Sequence, residues 1–181
     1  MLAYAAGGAA AFDMLYARHK GPVYRYLLRN CGNGGVADEL FQDVWMNVVR
    51  ARATYVPTAK FTTWLYTLAR HRLIDHWRAS GQVGFVSIDD EGDDAMGRVE
   101  SIPGSRVDEP ETRVASNEIG RSLARALAEL PTAQREAFLL QQEGGLSLAE
   151  IPALTGSGEE TVKSRLRYAT AKLRSALEPL K

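Results

Sequence analysis

Ser147-Leu148-Ala149-Glu150-Ile151-Pro152-Ala153-Leu154-Thr155-Gly156-Ser157-Gly158-Glu159-Glu160 is the stretch on which the fold turns. Ser147 stands three residues before Glu150, and Ser157 three before Glu160. At that spacing a serine and a glutamate can each satisfy an orphan backbone N–H at a helix start. Two helix starts separated by a tight turn through Gly156 have the dimensions of a helix-turn-helix. Pro152, counted from Ser147 as the cap, falls beyond the first turn. There its missing N–H and its ring against the Leu148 carbonyl predict a distorted or shortened first helix.

The helix that follows separates two faces. At about 100° per residue, Val162, Leu166, Ala169, Leu173 and Leu177 align on one side, with Ser164, Arg167, Tyr168 and Ala171 opposite. Lys163 and Arg174 border the free face on one side, Arg165 and Lys172 on the other. Cations on the rims meet phosphates, and small or hydrogen-bonding residues between them meet base edges, which suits a helix in the major groove. Taken singly, each residue fits a merely solvated face as well. The capped helix pair with its turn length is what favours DNA.

Outward from this pair, apolar residues recur with the helical period and show no convincing period of two, so the fold class is all-α. Helices are predicted over 112–129, 132–143, 148–154 and 158–178, and in the first half over 11–30, 36–53 and 60–79. Equal numbers of basic and acidic residues, 22 each, conceal a division along the chain. Residues 1–80 carry 10 Lys/Arg against 5 Asp/Glu, residues 81–116 carry 3 against 9, and residues 117–181 carry 9 against 8. A polyanion is drawn to the first block and repelled by the second. The acidic stretch, with runs such as Asp89-Asp90-Glu91-Gly92-Asp93-Asp94, also holds Gly and Pro throughout and reads as a flexible tether.

In the first block, Leu40, Phe41, Val44, Trp45 and Val48 cover one side of the second helix and leave Glu39, Gln42, Asp43 and Met46 on the other. That acidic face is either solvated or a docking face for a protein. The third helix is apolar around most of its circumference, apart from a stripe of Thr63, Thr67, Arg70, His71 and Arg78. Aromatic and cationic residues close together suit stacking on unpaired bases and pairing with phosphates, although Trp64, Tyr66 and Trp77 also fit a core.

Other chemistry finds little support. His71 and Asp75 share a helix face, but His76 is rotated away and no further ligands complete a metal shell. The single Cys31 has no intrachain partner and is given no role. No nucleophile with a base and no phosphate-cradling glycine loop is present. No apolar run approaches the roughly 20 residues that span a bilayer. The Ala/Gly-rich start lacks the basic flank of a secretory signal and reads as a frayed tail.

Phe12 to Tyr16, Tyr24 to Leu28, Asp38 to Trp45 and Phe61 to Tyr66, with Leu68 to Arg70 and Ile74-Asp75, resemble region 2 of an extracytoplasmic-function (ECF) sigma factor of bacterial RNA polymerase. Leu130-Pro131, Gln134 to Glu136, Gly145 to Ser147, Glu150-Ile151, Thr161 to Leu166 and Lys172 to Arg174 resemble its region 4. The resemblance implies a three-to-four-helix region 2 over 11–80 and a four-helix region 4 over 117–181, leaving outside it the tail over 1–10, read as disordered, and the acidic linker over 81–116. By the same resemblance, Asp38, Glu39, Gln42, Asp43 and Met46 dock on a coiled coil of the largest polymerase subunit. Lys60, Thr63, Trp64, Thr67, Arg70, His71 and Arg78 read the minus-ten element as single-stranded DNA. Thr161, Lys163, Ser164, Arg165, Arg167 and Tyr168 approach the minus-thirty-five element as duplex. It further implies a cytoplasmic protein without catalytic residue, cofactor or metal, not inserted in a membrane, with core polymerase, promoter DNA and an anti-sigma factor as partners. The rival reading is a helix-turn-helix regulator that binds duplex DNA without core polymerase.

Overall fold

The computed structural model describes residues 1–81 and 112–178. Most of the acidic stretch, and with it the expected tether, lies outside the described residues. Helices are α1 (Leu2–Ala5), α2 (Ala9–Cys31), α3 (Gly34–Arg50), α4 (Phe61–Ala79), α5 (Thr112–Ala128), α6 (Thr132–Gln142), α7 (Glu150–Thr155) and α8 (Glu159–Leu177), with a 3-10 turn at Ala51–Ala53.

Helices α2, α3 and α4 form the first domain, packed pairwise on one another. The α2–α3 turn is set by two neighbouring residues. Gly32 takes φ +69 and its N–H reaches the Leu28 carbonyl, a left-handed helix stop that a Cβ disfavours. Asn33 then caps α3, its Oδ1 accepting from the Val36 N–H at 3.1 Å. On α3, Ala37, Leu40, Val44, Trp45 and Val48 are buried, the spacing of one helical face. On α4, Leu65, Tyr66, Ala69, Leu73 and Trp77 are buried.

The N-terminal tail departs from its reading as frayed. Met1 to Ala5 turn into α1, and Tyr4 is buried, with 8% of its surface exposed. Its ring meets Phe12 at 5.1 Å, the Arg52 guanidinium lies 5.0 Å from the ring centroid, and Arg52 Nε donates to the Tyr4 carbonyl at 3.0 Å. The high Ala and Gly content hid one aromatic with a cation–π partner 48 residues away, a contact that composition does not reveal.

In the second domain, α8 packs on α5, α6 and α7 through Val162, Leu166, Ala169 and Leu173. Helix α7 is shorter than the predicted 148–154. Without an N–H, Pro152 cannot bond the Leu148 carbonyl, and the helix begins at Glu150. It stops at Gly156, φ +71, whose N–H reaches the Pro152 carbonyl at 2.9 Å.

The two domains do not stand apart. Helix α2 touches α5 and α6, α4 touches α7, and the buried apolar residues of both halves form one continuous cluster. Tyr26 and Tyr66 pack edge-on, centroids 5.1 Å apart, and the bare Cα of Gly144 comes up against the Tyr66 ring.

Replacing Tyr4 with alanine is expected to lower stability by about 2 kcal/mol, read from urea unfolding. An unchanged midpoint would return the first residues to a frayed tail.

Candidate nucleic-acid and polymerase interfaces

The sequence-predicted residues fall into three sets with different surroundings. On α3, the burial of Leu40, Val44 and Val48 turns Asp38, Glu39, Gln42, Asp43 and Met46 outward, and all five are exposed. Met46, at 45% exposure, is an apolar surface flanked by three carboxylates and an amide. Such a patch suits a basic protein surface with apolar spots, since single-sign charge selects the partner and apolar area adds affinity.

The second set lines the outer face of α4 and the turn before it. Here the second domain intervenes. Lys60 Nζ lies 3.2 Å from Glu150 Oε1, and Thr63 Oγ1 donates to the same oxygen at 2.9 Å. Arg70 Nε donates to Glu136 Oε1 at 2.9 Å, with both side chains mostly buried. Thr67 Oγ1 is turned inward to the Thr63 carbonyl, 2.8 Å away. Trp64 is half-buried, its indole edge-on to Tyr55 at 4.9 Å. His71 and Arg78 remain exposed and line a cleft of about 580 Å³ between α4 and the ends of α6 and α7. The set is therefore contiguous, with one end covered and the other open.

The third set lies on α8, where Thr161, Lys163, Arg167 and Tyr168 are exposed and Ser164 and Arg165 half-buried. Tyr168 points out, 55% exposed, and the Arg167 guanidinium stacks 5.0 Å from its ring centroid. Lys163 pairs with both Glu159 and Glu160 at 2.9 Å, and hydrogen bonds to these carboxylates push its ammonium pKa up. The predicted capping box at Ser157 does not form. Gly158 is the N-cap without a side-chain bond, and the Ser157 hydroxyl instead accepts from Arg165 at 2.6 Å. A guanidinium nearly two turns into the helix outcompetes a backbone N–H for that oxygen. At Ser147, Glu150 does reach back, its Oε2 accepting from the Ser147 N–H at 2.9 Å and hydroxyl at 2.7 Å.

The groups missed by sequence reasoning are the partners across the domain boundary. Glu143 on the α6 C-terminus takes Arg25 at 2.8 Å and also Arg29, both from α2. Glu136, Glu143 and Glu150 recur every seven residues, but no local pattern names their partners, which lie 66 to 118 residues away.

The Glu150 carboxyl is held down to about 2 by the Ser147 N–H and hydroxyl first, then by Thr63 and Lys60. Because its folded value lies below the free value of 4.5, ionised Glu150 stabilises the fold above about pH 4.5, and that contribution is lost as pH falls through about 2. Glu150→Gln is thus expected to lower the Tm at pH 7 and to cost progressively less as the buffer is taken below pH 4.5. A Tm difference indifferent to pH would assign the effect to packing instead.

Comparison with known proteins covers both halves. Sigma-70 region 2 matches residues 15–82, and Sigma-70, region 4 matches residues 120–173. The chain is 31% identical over 175 residues to the RNA polymerase sigma factor CarQ of Myxococcus xanthus, covering 96% of this chain and 93% of that protein. It is 30% identical over 177 residues to the ECF RNA polymerase sigma factor SigL of Mycobacterium tuberculosis, covering 97% and 94%. The solved complex of the sigma factor RpoE with the anti-sigma factor NepR from Bartonella quintana shares the fold, with a TM-score of 0.67 at 20% identity over 93% of this chain and 97% of the solved one.

Proposed function

We propose, since the chain belongs to the extracytoplasmic-function family of RNA polymerase sigma factors, that its promoter-directed role is divided among the three residue sets above. Asp38, Glu39, Gln42, Asp43 and Met46 dock on a coiled coil of the largest polymerase subunit. Lys60, Thr63, Trp64, Thr67, Arg70, His71 and Arg78 engage the minus-ten element, and Thr161, Lys163, Ser164, Arg165, Arg167 and Tyr168 the minus-thirty-five element. The observation that carries this reading is the outward α3 face. All five of its residues are exposed and none takes part in a described ion pair. A regulator that binds only duplex DNA has no task for it.

The chemistry divides accordingly. On α8, Arg167 is stacked rather than ion-paired, so its guanidinium keeps donors for a guanine edge, while Tyr168 adds an aromatic edge beside it. On α4 and the turn before it, Lys60 and Arg70 supply charge for phosphates and Trp64 a ring edge at the rim of the aromatic group formed with Tyr55 and Phe61. Bond formation belongs to the polymerase, so the chain acts as a non-enzymatic, cytoplasmic initiation factor without cofactor or metal. No described helix is long and apolar enough to cross a membrane. An anti-sigma partner follows from the likeness to RpoE bound to NepR.

Gln42→Ala combined with Asp43→Ala is expected to abolish co-purification with core polymerase while leaving the melting curve unchanged. Retained association would move the docking surface off α3. In run-off transcription with purified core on fragmented host DNA, specific transcripts should appear only when the protein is added. Transcripts that do not depend on it, or the absence of both transcripts and core binding, would reject the initiation-factor reading. Arg167→Ala should weaken minus-thirty-five recognition by about 1–3 kcal/mol. Promoter preference untouched by that change would leave Arg167 a solvated side chain.

A further inference from the structure

Arg52 stands at the corner where the chain leaves α3 for the stretch that leads to Lys60 and α4. A cation at such a corner is available to a DNA phosphate unless something else engages it. Here the N-terminal residues engage it. The Tyr4 ring centroid lies 5.0 Å from the guanidinium, the Tyr4 carbonyl accepts from Arg52 Nε at 3.0 Å, and a Cβ at Gly7 would lie 3.6 Å from Arg52 Nη2. One side chain thus meets a ring face, a carbonyl and a bare backbone, all within residues 4–7. No described carboxylate pairs with it. Stacking and hydrogen bonding together fix a planar guanidinium in one orientation.

The tail that holds Arg52 is itself anchored. Tyr4 is buried and packs on Phe12 at 5.1 Å, and Phe12 meets Trp45 of α3 edge-on at 5.9 Å. What the tail holds has little else to hold it. From Thr54 to Lys60 the backbone forms no helix or strand, and within that stretch one backbone hydrogen bond is described, from the Thr58 N–H to the Val56 carbonyl at 2.9 Å. Val56 is exposed. The stretch is therefore placed by its ends, through the Ala51–Ala53 turn on one side and Tyr55 against Phe61 and Trp64 on the other. Arg52 belongs to the first of these braces and lies three residues before Tyr55, which belongs to the second. A site residue beside an irregular segment is only as well placed as the groups that support it.

We propose that residues 1–8 are a positioning element for promoter reading, in which Tyr4 and Arg52 act as one unit to fix the α3–α4 connection, and with it Lys60, Tyr55 and Trp64, for the melted strand. This rests on the assignment of Lys60 and Trp64 to the minus-ten element. Arg52 is a brace and not a phosphate ligand, and Tyr4 acts on DNA only through it. The α3 docking face is set by the burial of Leu40, Val44 and Val48 instead. Loss of the brace therefore separates strand reading from core binding.

The test uses the full chain with core polymerase, on a promoter that the unaltered protein transcribes, at a temperature well below the melting point of every variant. Readouts are affinity for core and permanganate reactivity of unpaired thymines, which reports strand opening. Tyr4→Ala and Arg52→Gln are each expected to lower opening roughly tenfold, the scale of one lost base contact, with affinity for core unchanged. The double variant should lose no more than either single one, because the two side chains act together. Tyr4→Phe keeps both the ring and the carbonyl and should restore opening. Tyr4→Leu, which keeps apolar bulk and removes the ring face, takes the place of the alanine variant if that does not fold. Opening that fails with Arg52→Gln but survives the loss of the Tyr4 ring makes Arg52 a DNA ligand and overturns the brace. Parallel losses of core affinity and opening make the tail a general support of the domain and overturn it too, as does normal opening in both variants. If the unaltered protein gives neither transcripts nor core binding, the initiation-factor reading fails and this proposal falls with it.

Discussion

Helix α2 has to serve two cores at once, and the rest of the molecule is arranged around that constraint. Val23, Tyr26 and Leu27 are fully buried on it. It packs against α3 and α4 of its own domain and against α5 and α6 of the other. Its Arg25 and Arg29 then reach Glu143. The magnitudes show how finely this is poised. An ion pair open to water on one side, as Lys60–Glu150 is, contributes about 0–1 kcal/mol, whereas a buried polar atom left without a partner costs about 1–3 kcal/mol. Among the described residues, Tyr26, Tyr66 and Arg135 each bury a polar atom without a hydrogen-bond partner.

Glu136, Glu143 and Glu150 of the second domain match Arg70, Arg25, Arg29 and Lys60 of the first. Charge on α3 is kept out of this exchange. Asp38, Glu39 and Asp43 are exposed on the face opposite Leu40, Val44 and Val48, where the second domain does not reach.

The helical fold was legible because its signals are local. Periodicity of apolar residues, the Gly32-Asn33 stop and cap, and the reach of Glu150 back to the Ser147 N–H each lie within one or two turns of sequence. The outward faces of α3 and α8 were legible for the same reason, since a face opposite a buried one is exposed by geometry. Three features were not. Ser157 carries the same local signal as Ser147, but Arg165, eight residues on, takes its hydroxyl. Tyr4 is tied down by Arg52, and Glu136 meets Arg70, through contacts that form only once the chain has folded. The residues of the α4 stripe were named from their pattern, while their occupation by glutamates from the other domain had no counterpart in it.

The start of α8 carries a lysine already engaged by two carboxylates, Glu159 and Glu160. Before Lys163 meets a phosphate, it must leave both. On the α8 assignment proposed above, a duplex therefore gains less from counterion release at this end of the helix, and its binding depends less steeply on salt there. On that same assignment, residence on a promoter then rests on Arg167 and Tyr168 more than on bulk attraction.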